Sequence, residues 1–323
     1  MSTSTQTVPT LDTVTPKRGR GWGRDITIGV ALLAVVVIGV LWGQHLRGRN
    51  RRDQRAEKYV QEKQYDRAIE EYTESIRHDP KSALTFANRA SAHFRKGDFD
   101  QAIADCDRAL DLDPNLAIAY VNRGGAYLNR NDFEKALADS TRAIELNPNL
   151  AQAYANRGGA YFKKGDFDRA VADCSQAVKL DPELAVAWFC RAAAHFRKNM
   201  LKEAQADYTE AIRCDPGLAD AYVNRAVLWL GRGDTKKALH DLNQAIELNP
   251  RLAEAFAYRG TLALSLEDGK QAIKDCTRAI HLDPRLASAY WTRAIAHARA
   301  GKRDLAAADQ KKAIELNPTL GER

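Results

Sequence analysis

Cysteine, methionine and proline are scarce in this chain of 323 residues, at five, two and ten. Cys106, Cys174, Cys190, Cys214 and Cys276 form no C-x-x-C pair and are odd in number, so neither a zinc site nor a secreted disulfide framework is suggested. Nucleophile elbow, phosphate-binding glycine loop, H-E-x-x-H and an isolated pair of catalytic carboxylates are also missing. No catalytic residue, metal site or cofactor is therefore expected. A broad basic surface is lacking too. The formal charge is +7, but residues 1–58 hold ten Lys/Arg against four Asp/Glu, and the rest of the chain is nearly balanced, at 39 against 38. A nucleic-acid footprint needs basic charge across the folded surface, so nucleic acid is not an expected partner. At 45% hydrophobic and 28% charged, the chain is neither collagen-like nor wholly disordered.

What is present begins with a sharp contrast at the N-terminus. Residues 1–16 hold eight Ser/Thr and two Pro, and 1–25 read as a disordered Ser/Thr-rich and then basic tail. Residues 26–43 (ITIGVALLAVVVIGVLWG) carry no charge and would extend roughly 27 Å as a helix, close to the ~30 Å of a bilayer core. They predict a transmembrane helix, with Trp22 and Trp42 near its ends as interfacial anchors. A cleaved signal peptide is the competing reading; its apolar stretch is usually shorter and ends in small residues, unlike Leu41-Trp42-Gly43. Lys17, Arg18, Arg20 and Arg24 precede the span, while Arg47, Arg49, Arg51, Arg52, Arg55 and Lys58 follow it in a basic juxtamembrane segment, 44–58. This bias leans toward a single-pass protein with a cytoplasmic C-terminal part, and the basic flanks would sit close to anionic lipid.

Past position 16 every proline obeys one rule: Pro80, Pro114, Pro148, Pro182, Pro216, Pro250, Pro284 and Pro318 recur at one constant interval, every thirty-fourth position. Each follows an Asp or Asn, and because the residue before Pro is disfavoured in the α region, the period marks helix ends. Gly97, Asn131, Gly165, Asn199, Gly233 and Gly301 recur mid-repeat, where a left-handed residue can stop a helix. Asp98, Asp132, Asp166, Asp234 and Asp268 follow as candidate N-caps. Each unit therefore reads as two helices, A and B. Small residues at one place on A (Ala90, Gly124, Gly158, Ala192) and on B (Ala102, Ala136, Ala170, Ala204) allow close approach, and one aromatic per unit (Phe86, Tyr120, Tyr154, Trp188, Tyr222, Phe256, Tyr290) fills the space between neighbours.

These residues resemble the tetratricopeptide repeat, seen best in Tyr154, Gly158, Tyr161, Ala170, Ala177 and Pro182. The resemblance implies an all-α fold, an α-solenoid or superhelix of helix-turn-helix repeats. It covers seven units (83–116, 117–150, 151–184, 185–218, 219–252, 253–286 and 287–320), after a degenerate one over 49–82 that overlaps the basic segment. Two departures stand out. Glu267 and Gly269 replace the turn Gly and the following aromatic, which puts that turn in doubt, and no polar capping helix follows Pro318, which leaves an apolar side of the last helix open.

Where the family usually has Leu, this chain has Arg89, Arg123, Arg157, Arg191, Arg225, Arg259 and Arg293, each matched on helix B of the same unit, at a fixed interval, by Asp105, Asp139, Asp173, Asp207, Asp241, Asp275 and Asp309. They predict repeated structural ion pairs, within a unit or to the next one. Asn88, Asn122, Asn156 and Asn224 precede the Arg on the expected concave face. A row of amides can pair with the backbone of a bound peptide, or each can bond within its own repeat. The clamp by which some members of the family hold the C-terminal carboxylates of heat-shock chaperones is incomplete, with Leu84, Ile118 and Gln152 at the earlier positions. Phe189 and Trp291 add apolar surface, for packing or for a ligand groove. His93, His195 and His297 share a position but lie three units apart, too far to share a metal. The resulting expectation is a membrane-anchored scaffold or adaptor that binds a peptide or partner protein on its concave face. Alternatives are an assembly subunit that docks through its uncapped C-terminal repeat, or a targeting module for a separate enzyme.

Overall fold

A computed structural model describes residues 51–321, and the tail (1–25) and the span (26–43) lie outside the described residues. Among the described residues, no helix is long and apolar enough to cross a membrane. The described residues form sixteen α-helices, all in A–B pairs. The pair of the degenerate unit is α1 (Arg51–Gln61) and α2 (Tyr65–His78), so residues 51–58 of the basic segment are part of helix A. The seven full units follow: α3 (Ala83–Lys96) and α4 (Phe99–Leu112); α5 (Ala117–Asn129) and α6 (Phe133–Leu146); α7 (Ala151–Lys164) and α8 (Phe167–Leu180); α9 (Ala185–Arg197) and α10 (Leu201–Cys214); α11 (Ala219–Gly231) and α12 (Thr235–Leu248); α13 (Ala253–Ser265) and α14 (Gly269–Leu282); α15 (Ala287–Arg299) and α16 (Arg303–Leu316). Pro318–Gly321 forms a 3-10 turn after α16.

The punctuation works as its chemistry requires. The Asp or Asn before each of the first seven repeat prolines leaves the helix in extended geometry and accepts a bond on its own side chain from the N–H two residues on, for example Asn115 N–H to Asp113 Oδ1 at 2.9 Å. The side chain thus builds the turn that Pro only permits. Four of the five candidate N-caps, Asp132, Asp166, Asp234 and Asp268, accept from the N–H three residues later. Asp98 does not, because its carboxylate is drawn to Lys96 at 3.1 Å and lies 3.7 Å from His93. The doubtful turn at Glu267 keeps the family geometry. Glu267 takes the left-handed conformation (φ 63°) that Gly97 and Gly165 adopt without a side chain to hinder them (φ 94° and 85°).

Each A helix packs on its own B helix and on the preceding one. Consecutive A helices also touch, more thinly between α1 and α3 and between α9 and α11 than elsewhere, whereas consecutive B helices scarcely do, so the stack curves with its A helices inside. The A–B approach is close enough that a Cβ placed on Gly158 would lie 2.6 Å from Cys174 Sγ. The degenerate unit is a complete hairpin with Ala56, Val60, Ala68 and Tyr72 buried. The open apolar side expected at the far end is reduced to one large side chain, Leu305, 51% exposed on α16. Where earlier B helices begin with Phe99, Phe133 and Phe167, α16 begins with exposed Arg303, and it has exposed Gln310 where others bury Cys106, Tyr208 or Leu242. Gly321 folds back against Ile314. Apart from Leu305, the large side chains that the last helix turns outward are polar.

Candidate functional site: the inner face of the A helices

Two rows of polar side chains run along the stack, and the first is closed on itself. In all seven units the Arg forks onto the Asp of its own B helix, with Nε and one terminal nitrogen donating to the two carboxylate oxygens at 2.7 to 2.9 Å. The other terminal nitrogen reaches back to the previous unit at 2.5 to 3.5 Å. Its acceptors are Thr73, Asp107, Thr141, Ser175, Thr209, Asn243 and Thr277. Each guanidinium also lies over the aromatic three residues before it, at 4.6 to 5.7 Å from the ring centre. The bond to Asp139 raises the Arg123 pKa, and the bonds to Asp173 and Asp309 do the same for Arg157 and Arg293. One arginine thereby ties helix A to helix B and to the unit before it.

The His position borders this spine. His195 Nδ1 is 2.9 Å from Asp207, and His297 Nε2 is 4.0 Å from Asp309. Trp229 at the same place donates to Asp241 at 3.2 Å. Among the described residues, no cluster of His, Cys, Asp or Glu could hold a metal ion.

The second row is the inner face itself. Asn122 and Asn156 are buried there, and each donates its amide to a carbonyl of the preceding A helix, Ala87 O and Val121 O, both at 3.0 Å. Asn156 also accepts from Gln152. The two bonds to carbonyls join neighbouring repeats, while the one from Gln152 stays within its own repeat. Asn88 is buried and Asn224 half-buried. Further along the same face, Thr292 shares a hydroxyl bond with Thr261, and Arg299 donates to Leu264 O. The last turn of the A helices carries Arg95, Asn129, Lys163 and Arg197 at one repeat position. Burial pushes the Arg95 guanidinium down to about 10, and Tyr65 and Tyr72 are the titratable groups nearest to it. Its Nε and one terminal nitrogen are buried without a hydrogen-bond partner. Burial likewise lowers the Lys163 pKa. The Arg197 guanidinium lies 4.8 Å over the Phe167 ring.

Models of the tetratricopeptide repeat match residues 83–116 and 151–184, 185–218 and 219–252, and 258–320, and a model described as TPR repeat matches 124–165. Between them they take in most of the stack. The chain belongs to the tetratricopeptide repeat family. Its fold is similar to that in the crystal structure of the APC/C hetero-tetramer Cut9-Hcn1, with a TM-score of 0.68 at 15% identity over 82% of this chain and 52% of that one. The chain thus spans about half the length of that relative. Pseudomonas aeruginosa pilF aligns with a TM-score of 0.58 at 16% identity, over 65% of this chain and 96% of its own. A tetratricopeptide repeat protein from Parabacteroides merdae gives 0.54 at 18%, over 76% and 97%. These likenesses concern the fold. No curated protein matches the chain.

Within the tetratricopeptide frame, two apolar candidates separate. Phe189 is 2% exposed and packs on Tyr208 with ring centres 5.7 Å apart, so it is core; the bulk of this pair falls at one of the thin contacts between successive A helices. Trp291 is half-buried on the inner face. Sequence reasoning missed the acceptors of the third arginine nitrogen. Their signal was an oxygen-bearing residue once per repeat, two after each B-helix acid. It also missed the cation row, because Asn129, Gly231 and Ser265 break its pattern.

Proposed function

We propose that this protein is a membrane-anchored scaffold or adaptor that holds a peptide or partner protein on the inner face of its tetratricopeptide superhelix, without catalysis. Tetratricopeptide repeats are protein-interaction modules, and the observation that carries the reading here is the division of labour between the two polar rows. The Arg–Asp series is closed within the stack, whereas the A-helix face keeps Arg95 with two nitrogens that have no partner. The anchor rests on the uncharged run 26–43 and its basic flanks. The slight excess of positive residues after the span favours a cytoplasmic repeat part. Docking through the C-terminal end is the weaker reading, because α16 presents Arg303 and Gln310 outward and Leu305 alone as a large exposed apolar side chain.

Two measurements test this. The full-length chain should stay with membranes in alkaline carbonate and leave only in detergent; release by carbonate ends the anchored reading. Peptides retained by the immobilised chain should be lost when Leu84 and Gln152, half-buried residues of the inner face, are replaced by Glu, and kept when Arg303 on the outer end is; the opposite pattern favours the assembly subunit.

A further inference from the structure

The cations on the A helices fall into neighbouring classes with opposite surroundings. Lys96, Arg130, Lys164 and Lys198 each pair with a carboxylate on the preceding B helix: Asp66, Asp100, Glu134 and Asp168. One residue earlier, Arg95, Lys163 and Arg197 make no ion pair among the described residues. Arg95 meets only tyrosines, Lys163 has the Cys190 thiol as its one titratable neighbour, and Arg197 has an aromatic ring. A ring supplies part of the stabilisation a cation needs but no counter-charge. The local composition sharpens this point: α3, α5, α7 and α9 contain no Asp or Glu at all, whereas α11 and α13 bring Asp220 and Glu254 to the inner face. Arg95 and Lys163 are half-buried cations without an acid, which is costly to maintain alone and is relieved by anions, and exposed Arg197 continues their row at the surface. The chain's own segment 1–50 does not suit the role, since it holds six Lys/Arg against two Asp.

We propose that the inner face between residues 83 and 218 holds an acidic, extended segment of a partner polypeptide, whose carboxylates pair with Arg95, Lys163 and Arg197. This rests on the inner-face reading above and names the chemistry of its ligand. Neighbouring helices pack about 10 Å apart and an extended chain advances about 3.3 Å per residue. Lys163 and Arg197, one unit apart, thus match acids about three residues apart, and Arg95 and Lys163, two units apart, match acids about six apart.

The test uses the full chain in detergent and fluorescein-labelled 14-residue peptides, read by anisotropy. One peptide carries Glu at the matching spacing, a second has its three Glu adjacent, and a third has Gln in their place. The spaced peptide should bind most tightly, and Arg95→Gln with Lys163→Gln should weaken it at least tenfold while the melting temperature holds or rises. A melting temperature that falls would mark these cations as structural and overturn the proposal. Equal binding of the adjacent-Glu peptide or of a single-stranded oligonucleotide would overturn it too, by showing attraction to any polyanion. If the Gln peptide binds as tightly as the spaced one, the acidic preference is wrong and the inner-face reading stands. If no peptide binds, both fall.

Discussion

Arg89 and Arg95 lie on one helix, less than two turns apart, and their surroundings could hardly differ more. Arg89 has three nitrogens engaged, two by Asp105 and one by Thr73, and a ring beneath it. Arg95 has two buried nitrogens with nothing to donate to. The difference separates architecture from interaction. A polar group that recurs in every unit and is satisfied within the stack defines the stack, whereas one confined to some units and left short of partners defines what the stack can hold.

The largest expected effect lies in the closed row. Arg157→Met would strand Asp173, whose side chain is 11% exposed, and should lower stability by about 3 kcal/mol, since an uncompensated buried charge typically costs ~3 to 5. Arg157→Met with Asp173→Leu should recover most of that in urea unfolding. If the single and double variants unfold together, the pair is not the tie described. The Asn row comes next and probes the boundary between the two regions. Asn156 is 1% exposed with both ends of its amide bonded, so Asn156→Ala should cost about 1 to 2 kcal/mol. An unchanged midpoint together with weaker peptide binding would move Asn156 from the architectural side of the comparison to the ligand side.

The sequence made the architecture legible because solenoids repeat their physics. One proline per repeat marked the helix ends, and an Arg on helix A with an Asp at a fixed interval on helix B marked the spine. What it could not show was direction. Spacing alone does not tell whether Asn122 faces a ligand, its own repeat or Ala87 O, because all three require the same position on helix A. Nor does it show that Phe189 turns into Tyr208 while Trp291, at the same repeat position, stays half-exposed. Asp98 fails as a cap because of side chains on the preceding helix, a competition that counting along the chain does not display. The altered last helix is readable in the sequence, since Arg303 and Gln310 stand where the pattern has Phe and Cys.

A smaller and opposite effect is expected at the turn of the sixth full unit. A side chain in the left-handed region costs about 1 kcal/mol or somewhat more, and Glu267 occupies it where most units place Gly or Asn. Glu267→Gly should stabilise by about 0.5 to 1 kcal/mol in thermal melts, less than the full strain because glycine also loosens the unfolded chain. Gly165→Ala should destabilise by a similar amount, as it adds a Cβ at φ 85°. Should both substitutions move stability in the same direction, backbone strain is not what distinguishes these turns.

The smallest effect is a pH dependence at the edge of the closed row. Burial, the largest cause, and the nearby Arg89 lower the His93 pKa against the pull of Asp105 and Asp98, and burial likewise lowers that of His297. A histidine whose folded pKa lies below its unfolded value of about 6.5 takes its proton first in the unfolded chain. Its contribution to stability is therefore complete above about pH 6.5 and is lost as pH falls from there through the folded value. Protonation would add a cation beside a carboxylate that Arg89 already forks, so the spine has little left to offer it. Replacing His93 and His297 with Tyr, the residue found in the same place as Tyr127 and Tyr161, removes the proton site and keeps an aromatic there. The fall in melting temperature between pH 7.5 and 5.5 should be shallower for this double variant than for the native chain, because carboxylate titration is common to both and cancels. Equal slopes would mean that these two histidines are already as easily protonated in the stack as in the unfolded chain, and that the spine tolerates an extra charge that its closed bonding should not.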